Sequence, residues 1–436
     1  MQHEVTIESL VYTGAGLSHL TDGRVVFVPG ALPGDQVLIE TTADKKRYSE
    51  AKVLDILDSS EHRLAAPCIY ADVCGGCPWQ TLGYEQQLIW KRRFIVDALV
   101  RIGGIPEADS LVSEACASPH IWNYRNKVEF SVMNVNQRLQ LVMHEAGSNQ
   151  ATAIKRCLLL PLHLTDLPGQ LAGSLNYALQ NEAVRPYRLG FRYSAQTKQS
   201  ELALWSMPTG MRRHFVAQLL SQTVATSSLV RVLSRAEDAS RDVLKTEVLS
   251  GRGYWSEDVL GTRYAVSAPS FFQVNTDVAE LMVAYVMGLV ARPDKHVWDL
   301  YSGVGTFSLP LAKAGATVSA VEIAGSSIRD LRRNLKASRL TETVDVFPGD
   351  TGRVIGTLRP ADLAIVDPPA SGIDQNVTNQ LIQAPLSDLV YVSCNPQTLA
   401  RDAKRLDEGG FSLVSARPFD LFPQTFHVET IAVFRR

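Results

Sequence analysis

Val297-Trp298-Asp299-Leu300-Tyr301-Ser302-Gly303-Val304-Gly305-Thr306 is the stretch on which the reading of this 436-residue chain turns. An apolar strand, Val297 to Tyr301, runs straight into a glycine-rich turn, and Phe307–Ala314 then reads as a helix. Glycines at a strand-to-helix turn let a ligand approach the backbone. The turn carries Gly-x-Gly without the third glycine of a dinucleotide fingerprint, which argues against a nicotinamide cofactor. Outward from it, Thr317 to Val321 is a second strand ending in Glu322, a carboxylate placed to accept both hydroxyls of a ribose. Val344 to Phe347 leads to Gly349-Asp350, Ala361 to Val366 leads to Asp367-Pro368-Pro369, and Asp388 to Val392 leads to Ser393-Cys394-Asn395-Pro396. Phe411–Ala416 and Val428–Phe434 supply two more strands. The pattern predicts an α/β unit from 263 to 436 with seven strands and a ligand crevice at their carboxyl ends.

Upstream the chain changes character. Residues 1–58 hold short alternating runs, Val5–Ile7, Val25–Val28, Gln36–Ile39 and Ala51–Ile56, separated by Gly and Pro turns. So many short strands in so few residues predict a five-stranded barrel. Lys45, Lys46, Arg47 and Tyr48 form a basic-aromatic tip, which is either a solvated loop or an RNA contact. The segment resembles a TRAM domain, a small OB-like RNA-binding β-barrel. Residues 59–262 are a central α+β region. It opens on Cys68-x5-Cys74-Gly75-Gly76-Cys77, where the glycine pair lets the chain turn tightly enough for two thiolates to face one ion or cluster. Cys157 is the natural fourth ligand, and spacing alone leaves an iron–sulfur cluster and a structural zinc both open. Cys116 reads as a packed thiol. Tyr84 to Ile102 predicts a helix with Leu88, Ile95, Leu99 and Ile102 on one face, closed by Gly103-Gly104. Its Lys91, Arg92 and Arg93 are either a solvated face or an RNA contact. Trp122-Asn123-Tyr124-Arg125-Asn126-Lys127 interleaves aromatics and cations in a way that suits single-stranded RNA.

A formal charge of −2 excludes a chain coated in basic surface, so any nucleic-acid contact is local. The start lacks the basic-then-apolar pattern of a signal peptide. No apolar run approaches the ~20 residues that span a bilayer. The expectation is a cytoplasmic protein without a membrane partner, and a monomer.

Chemistry concentrates on Cys394. A thiol at the tip of a strand in an open α/β sheet is a candidate nucleophile, although a lone cysteine is most often a small buried hydrophobe. Acidic residues at successive strand tips describe a class I S-adenosylmethionine (SAM) methyltransferase sheet, Rossmann-like. Asp367-Pro368-Pro369 is similar to the Asp-Pro-Pro-aromatic motif of amine methylases, but Ala370 stands where the aromatic belongs. That departure, with Cys394 one strand away, redirects the chemistry to carbon 5 of a pyrimidine. This carbon becomes nucleophilic only after a thiolate adds to carbon 6, and a base must afterwards remove its proton. His427-Val428-Glu429 offers that base. An amine N-methyltransferase and a catalytically silent RNA assembly factor are the competing readings.

Along essentially its full length the sequence resembles the SAM-dependent RNA uracil-5-methyltransferases. The matching stretches are the cysteine motif with Gln80, Tyr124-Arg125-Asn126-Lys127, Ser270-Phe271-Phe272-Gln273-Val274-Asn275, Asp299 to Gly305, Asp367-Pro368-Pro369, Ser393-Cys394-Asn395-Pro396 and Phe422-Pro423-Gln424-Thr425 before Glu429. The resemblance implies Cys394 as nucleophile, Glu429 as proton acceptor and Asp367 on the uracil edge or the cofactor side of the pocket. It implies Gln273, Tyr301, Gly303, Thr306, Glu322, Asp350 and Asp367 around SAM, and Phe271 stacked on the flipped base. Thr306 stands where several relatives carry Asn. It further implies a structural 4Fe-4S cluster on Cys68, Cys74, Cys77 and Cys157. A cluster together with a TRAM domain points to 23S rRNA as substrate, with tRNA the alternative.

Overall fold

The computed structural model describes every residue except 146, 147, 149, 225, 238–241, 291 and 292. Residues 2–58 form a six-stranded sheet rather than five strands. The extra strand is Ser9–Leu10, only two residues long, which pairs back on Gly16–His19 and leaves no periodic signal to read. Ile7, Val26, Val28, Val37, Ile39 and Ala51 fill the interior of this unit. The basic tip lies where expected, exposed between Gln36–Asp44 and Tyr48–Asp58.

The central region is built on a second sheet of seven strands, which starts from Lys127–Val135 and Arg138–His144 and extends to Val243–Gly251. A separate hairpin, Trp255–Val259 with Thr262–Val266, packs Trp255, Val259, Tyr264 and Val266 into the core of the C-terminal half. The expected division at 262/263 therefore falls inside that hairpin.

The third sheet carries β1 (His296–Leu300), β2 (Thr317–Glu322), β3 (Val344–Pro348), β4 (Leu363–Val366), β5 (Asp388–Ser393), β6 (Ser412–Phe419) and β7 (Glu429–Arg435). Their order is β3-β2-β1-β4-β5-β7-β6. β1 through β5 pair in parallel, and β7 runs antiparallel between β5 and β6. The strands of β4 and β5 are buried along nearly their whole length, as a sheet covered on both faces requires. The order reverses beside β1, which opens a crevice at the carboxyl ends of β1 and β4.

The helix expected over 84–102 is an α-helix at Tyr84–Ala98 continued by a π-helical turn, Leu99–Gly103, and it stops at Gly104 (φ 72°). It buries two faces at once. Trp90 and Phe94 join Leu10, Leu32 and Trp79 in an aromatic cluster, while Ile95, Ala98 and Leu99 enter the catalytic core beside Leu389, Tyr391 and Ala400. The single stripe read from the sequence was displaced, and Ile102 is exposed. Its cations are also corrected. Lys91 is fully buried against Asp420, and Arg92 binds Asp109 and the carbonyl of Val112, so the triplet is no solvated or RNA-facing stripe. Only Arg93 is exposed, stacked on Trp90.

Candidate active site

The turn after β1 is shaped by backbone conformation. Tyr301, Gly303 and Gly305 all have positive φ (64°, 56° and 95°). A Cβ at Gly305 would stand 2.4 Å from Leu309 and 2.6 Å from Leu331, so only glycine fits there. At Gly303 the same position is open space, which leaves the backbone free for a ligand. Glu322, at the tip of β2, accepts from Gly303 N at 2.8 Å and from Ala324 N at 2.6 Å. Tyr301 is half-buried with Thr351 and Asp350 close by, and Asp350 is exposed at the start of the short helix Thr351–Val354. Thr306 is half-buried, and its carbonyl accepts from the Tyr264 hydroxyl. These side chains rim the crevice from the side of β1, β2 and β3.

The loop 267–275 follows the hairpin 255–266 and is tied to the helix Gly325–Ser338 through Asp330. Phe272 is buried against Trp255 and Tyr264, while Phe271 is 63% exposed. Gln273 is buried, and its side-chain oxygen has no partner. Three clamps hold this loop. Arg192 donates to the carbonyls of Ser267 and Ser270, and Asp330 accepts from Ser267 N and from the hydroxyls of Ser267 and Ser270. Asn126 donates from its side chain to the Gln273 carbonyl and to Thr276, both at 2.9 Å. This corrects the reading of residues 122–127 as an RNA surface. Tyr124 is buried with its hydroxyl on the Pro423 carbonyl, Asn126 is a loop clamp, and Arg125 lies between the cysteine pocket and the ring of Phe422.

Asp367, Cys394 and Glu429 come from three adjacent strands, following β4, following β5 and opening β7, and both carboxyls act on the thiol. Burial pushes the Asp367 carboxyl up to about 7, assisted by the charges of Asp299 and Glu322. Burial and then Asp367 hold Glu429 well above the usual carboxylate range. Burial, Glu429 and Asp367 push the Cys394 thiol up to about 12. Cys394 stands one residue before the cap of the helix Pro396–Glu408, whose first turn is capped by the Asn395 side chain accepting from Gln397 N. A helix N-terminus favours a thiolate, but here the two carboxyls and burial outweigh it.

The sequence assigns no role to two residues of this site, although Asp299 lies within a stretch that carries the family resemblance. Asp299 is fully buried beneath the glycine turn, its carboxyl raised to about 7 by burial, with one oxygen on Ser308 and the other unpartnered. Tyr12, from the N-terminal barrel, donates its hydroxyl to the Cys394 carbonyl at 2.9 Å.

The cysteines of the central region also meet. Cys68, Cys74, Cys77 and Cys157 line one pocket with Tyr70, Arg125 and Met143, and none forms a disulfide. Burial raises the thiols of Cys74, Cys77 and Cys157, and Cys157 adds to the rise at Cys77. The four thiols are the kind of donor a sulfur-ligated group needs, but among the described residues no group of three or more His, Cys, Asp or Glu is placed to hold a metal ion. Cys116 packs at the edge of the catalytic core, as a structural thiol does.

Sheet order, crevice and strand-tip carboxylates define a Rossmann-like methyltransferase. The chain belongs to the tRNA (uracil-5-)-methyltransferase family, whose model matches residues 83–346 and 360–436, and residues 2–54 match the TRAM domain. Curated relatives include an uncharacterized RNA methyltransferase of Gloeobacter violaceus, 34% identical over 99% of this chain and 96% of that protein. Another, from Thermotoga maritima, is 32% identical over 99% and 98%. The fold is also that of Pyrococcus abyssi tRNA (uracil-54, C5)-methyltransferase, solved with S-adenosyl-L-homocysteine (TM-score 0.77, 23% identity, 99% of this chain and 100% of that one). Among the described residues no helix is long and apolar enough to cross a membrane.

Proposed function

We propose that this protein methylates carbon 5 of a uridine in RNA, with SAM as donor, through a covalent adduct on Cys394. The observation that carries the reading is the placing of Cys394, at the open end of the sheet, within the electrostatic reach of two buried carboxyls, Glu429 and Asp367. The Cys394 thiolate adds to carbon 6 and sends the ring electrons to oxygen 4 as an enolate, which Asp367 stabilises from the uracil edge. Carbon 5 then takes the methyl group, and the donor leaves as the neutral thioether. Glu429 removes the carbon-5 proton, and that electron pair reforms the double bond and expels the Cys394 thiolate. One proton is released for each methyl transferred. Gln273, Tyr301, Gly303, Thr306, Glu322 and Asp350 line the donor site, and the unpartnered oxygen of Gln273 is a free acceptor for it. Exposed Phe271 stacks on the base once it is flipped from the RNA, an extrusion that costs a few kcal/mol.

Cys68, Cys74, Cys77 and Cys157 would hold a 4Fe-4S cluster, and the convergence of four thiols on one pocket supports that reading. Such a cluster would brace the central region, since the Cys394 chemistry needs no electron transfer. For substrate we favour 23S rRNA. A tRNA uridine is the second reading, because the Pyrococcus enzyme that shares this fold over its whole length is named for tRNA uracil 54. Transfer of labelled methyl from SAM to unmodified 23S rRNA and tRNA, side by side, tests both. 5-Methyluridine in rRNA alone supports the first reading and in tRNA alone the second, and label on an exocyclic amine overturns both.

A further inference from the structure

The N-terminal barrel touches the catalytic sheet through the turn 11–15. Between Ser9–Leu10 and Gly16–His19 the chain reverses, with Gly14 N on the Val11 carbonyl at 2.7 Å. Gly14 has φ +83°, and a Cβ there would stand 2.5 Å from the Phe426 ring. Its carbonyl accepts from Trp79 Nε1 at 3.2 Å. The turn is thus wedged into an aromatic cluster, and Tyr12 lies on it edge-on to Phe94 and Phe426 at 5.9 and 6.1 Å. From there the Tyr12 hydroxyl reaches the Cys394 carbonyl. Burial, then Cys394 and Glu429, keep the phenol protonated and therefore a donor.

We propose that Tyr12 is a positioning residue for the nucleophile, which makes the N-terminal barrel a wall of the catalytic pocket and not only an RNA-binding appendage. Fixing the Cys394 carbonyl fixes the plane of the peptide that follows it, and with it the direction in which Sγ leaves the backbone. A misplacement of about 1 Å at a reacting atom costs up to about a hundredfold in rate. The inference rests on Cys394 being the nucleophile. A purely packing role for Tyr12 would reside in its ring, which Tyr12→Phe retains.

The test uses the full-length protein and three readouts: methyl transfer under saturating RNA and SAM, the rate of adduct formation with RNA containing 5-fluorouridine, and the thermal midpoint. Carbon 5 of the fluorinated base has no proton to lose, so the adduct persists and can be counted. For Tyr12→Phe the expected result is a fall of about tenfold in kcat and in adduct rate, with KM for RNA and for SAM and the thermal midpoint unchanged. Wild-type kcat in Tyr12→Phe, or a loss confined to KM or to stability, overturns the proposal. Cys394→Ala is run alongside: if it is inactive, such a result counts against Tyr12 alone. Methylation or adduct formation by Cys394→Ala overturns the nucleophile assignment, and the proposal with it.

Discussion

Lys91 and Asp420 form an ion pair in which both side chains are sealed from solvent, although the two residues lie 329 positions apart in the chain. Lys91 also donates to the Phe422 carbonyl at 3.0 Å. Gln87, one turn earlier, exchanges two hydrogen bonds with Gln424, and Tyr124 holds the Pro423 carbonyl. The loop leading to Glu429 is therefore clasped from the central region. Removing one partner of a buried pair strands a charge and costs about 3–5 kcal/mol, while replacing both by apolar groups of similar size is often near neutral. Lys91→Met and Asp420→Leu are each expected to lower stability by that amount in chemical denaturation, and the double variant to recover most of it. Additive losses would contradict the pairing.

The raised Cys394 thiol has a measurable signature. With its pKa near 12, the thiolate fraction grows tenfold per pH unit from pH 7 to above pH 10, so alkylation of Cys394 should rise steadily over that range. An ordinary thiol would level off near pH 9. Glu429→Gln removes a negative neighbour, lowers the thiol pKa and speeds alkylation at any given alkaline pH. Peptide mapping by mass spectrometry measures both. A plateau near pH 9 in the wild-type protein would contradict the account.

Asp299 makes stability depend on pH. Its folded pKa, about 7, lies above its unfolded value near 4, so the folded state holds the extra proton between those limits. Stability from this group is therefore present at pH 4 and is lost as pH rises through 7, a change of at most about 4 kcal/mol. Asp299→Asn cannot titrate and should flatten that part of the profile, gaining on the wild type at pH 8 relative to pH 5. Parallel denaturation profiles for the two proteins would refute the assignment.

Asn126 is expected to act on the donor site without touching it. Asn126→Ala frees the loop that carries Gln273 and should weaken SAM binding about tenfold, by isothermal titration, with the thermal midpoint little changed. Unaltered SAM affinity would show that the clamp does not set the position of Gln273.

The sequence made the catalytic sheet legible because its chemistry is local. A strand, a turn and a polar residue at the tip lie within ten positions, and Asp367 and Cys394 could each be placed that way, whereas Glu429, which opens β7, rested on its context. What escaped was non-local. Lys91 looked like surface because its partner is Asp420, across the chain, and the helix that carries it is buried on two faces. Residues 122–127 had the composition of an RNA contact, yet Asn126 and Tyr124 are interior clamps for the loops at 273 and 423. Tyr12 is one aromatic in a turn, and nothing local distinguishes it from a surface tyrosine. The extra barrel strand is too short to show a period.

The central claim is that Cys394 forms the bond to the base and Glu429 permits its release. It is tested most directly with Glu429→Gln, incubated with SAM and unmodified RNA and run on a denaturing gel. The account predicts a covalent protein–RNA species that carries the labelled methyl group, accumulates because elimination is blocked, and is absent in Cys394→Ala. Free 5-methyluridine formed at the wild-type rate by Glu429→Gln, with no adduct, would contradict it.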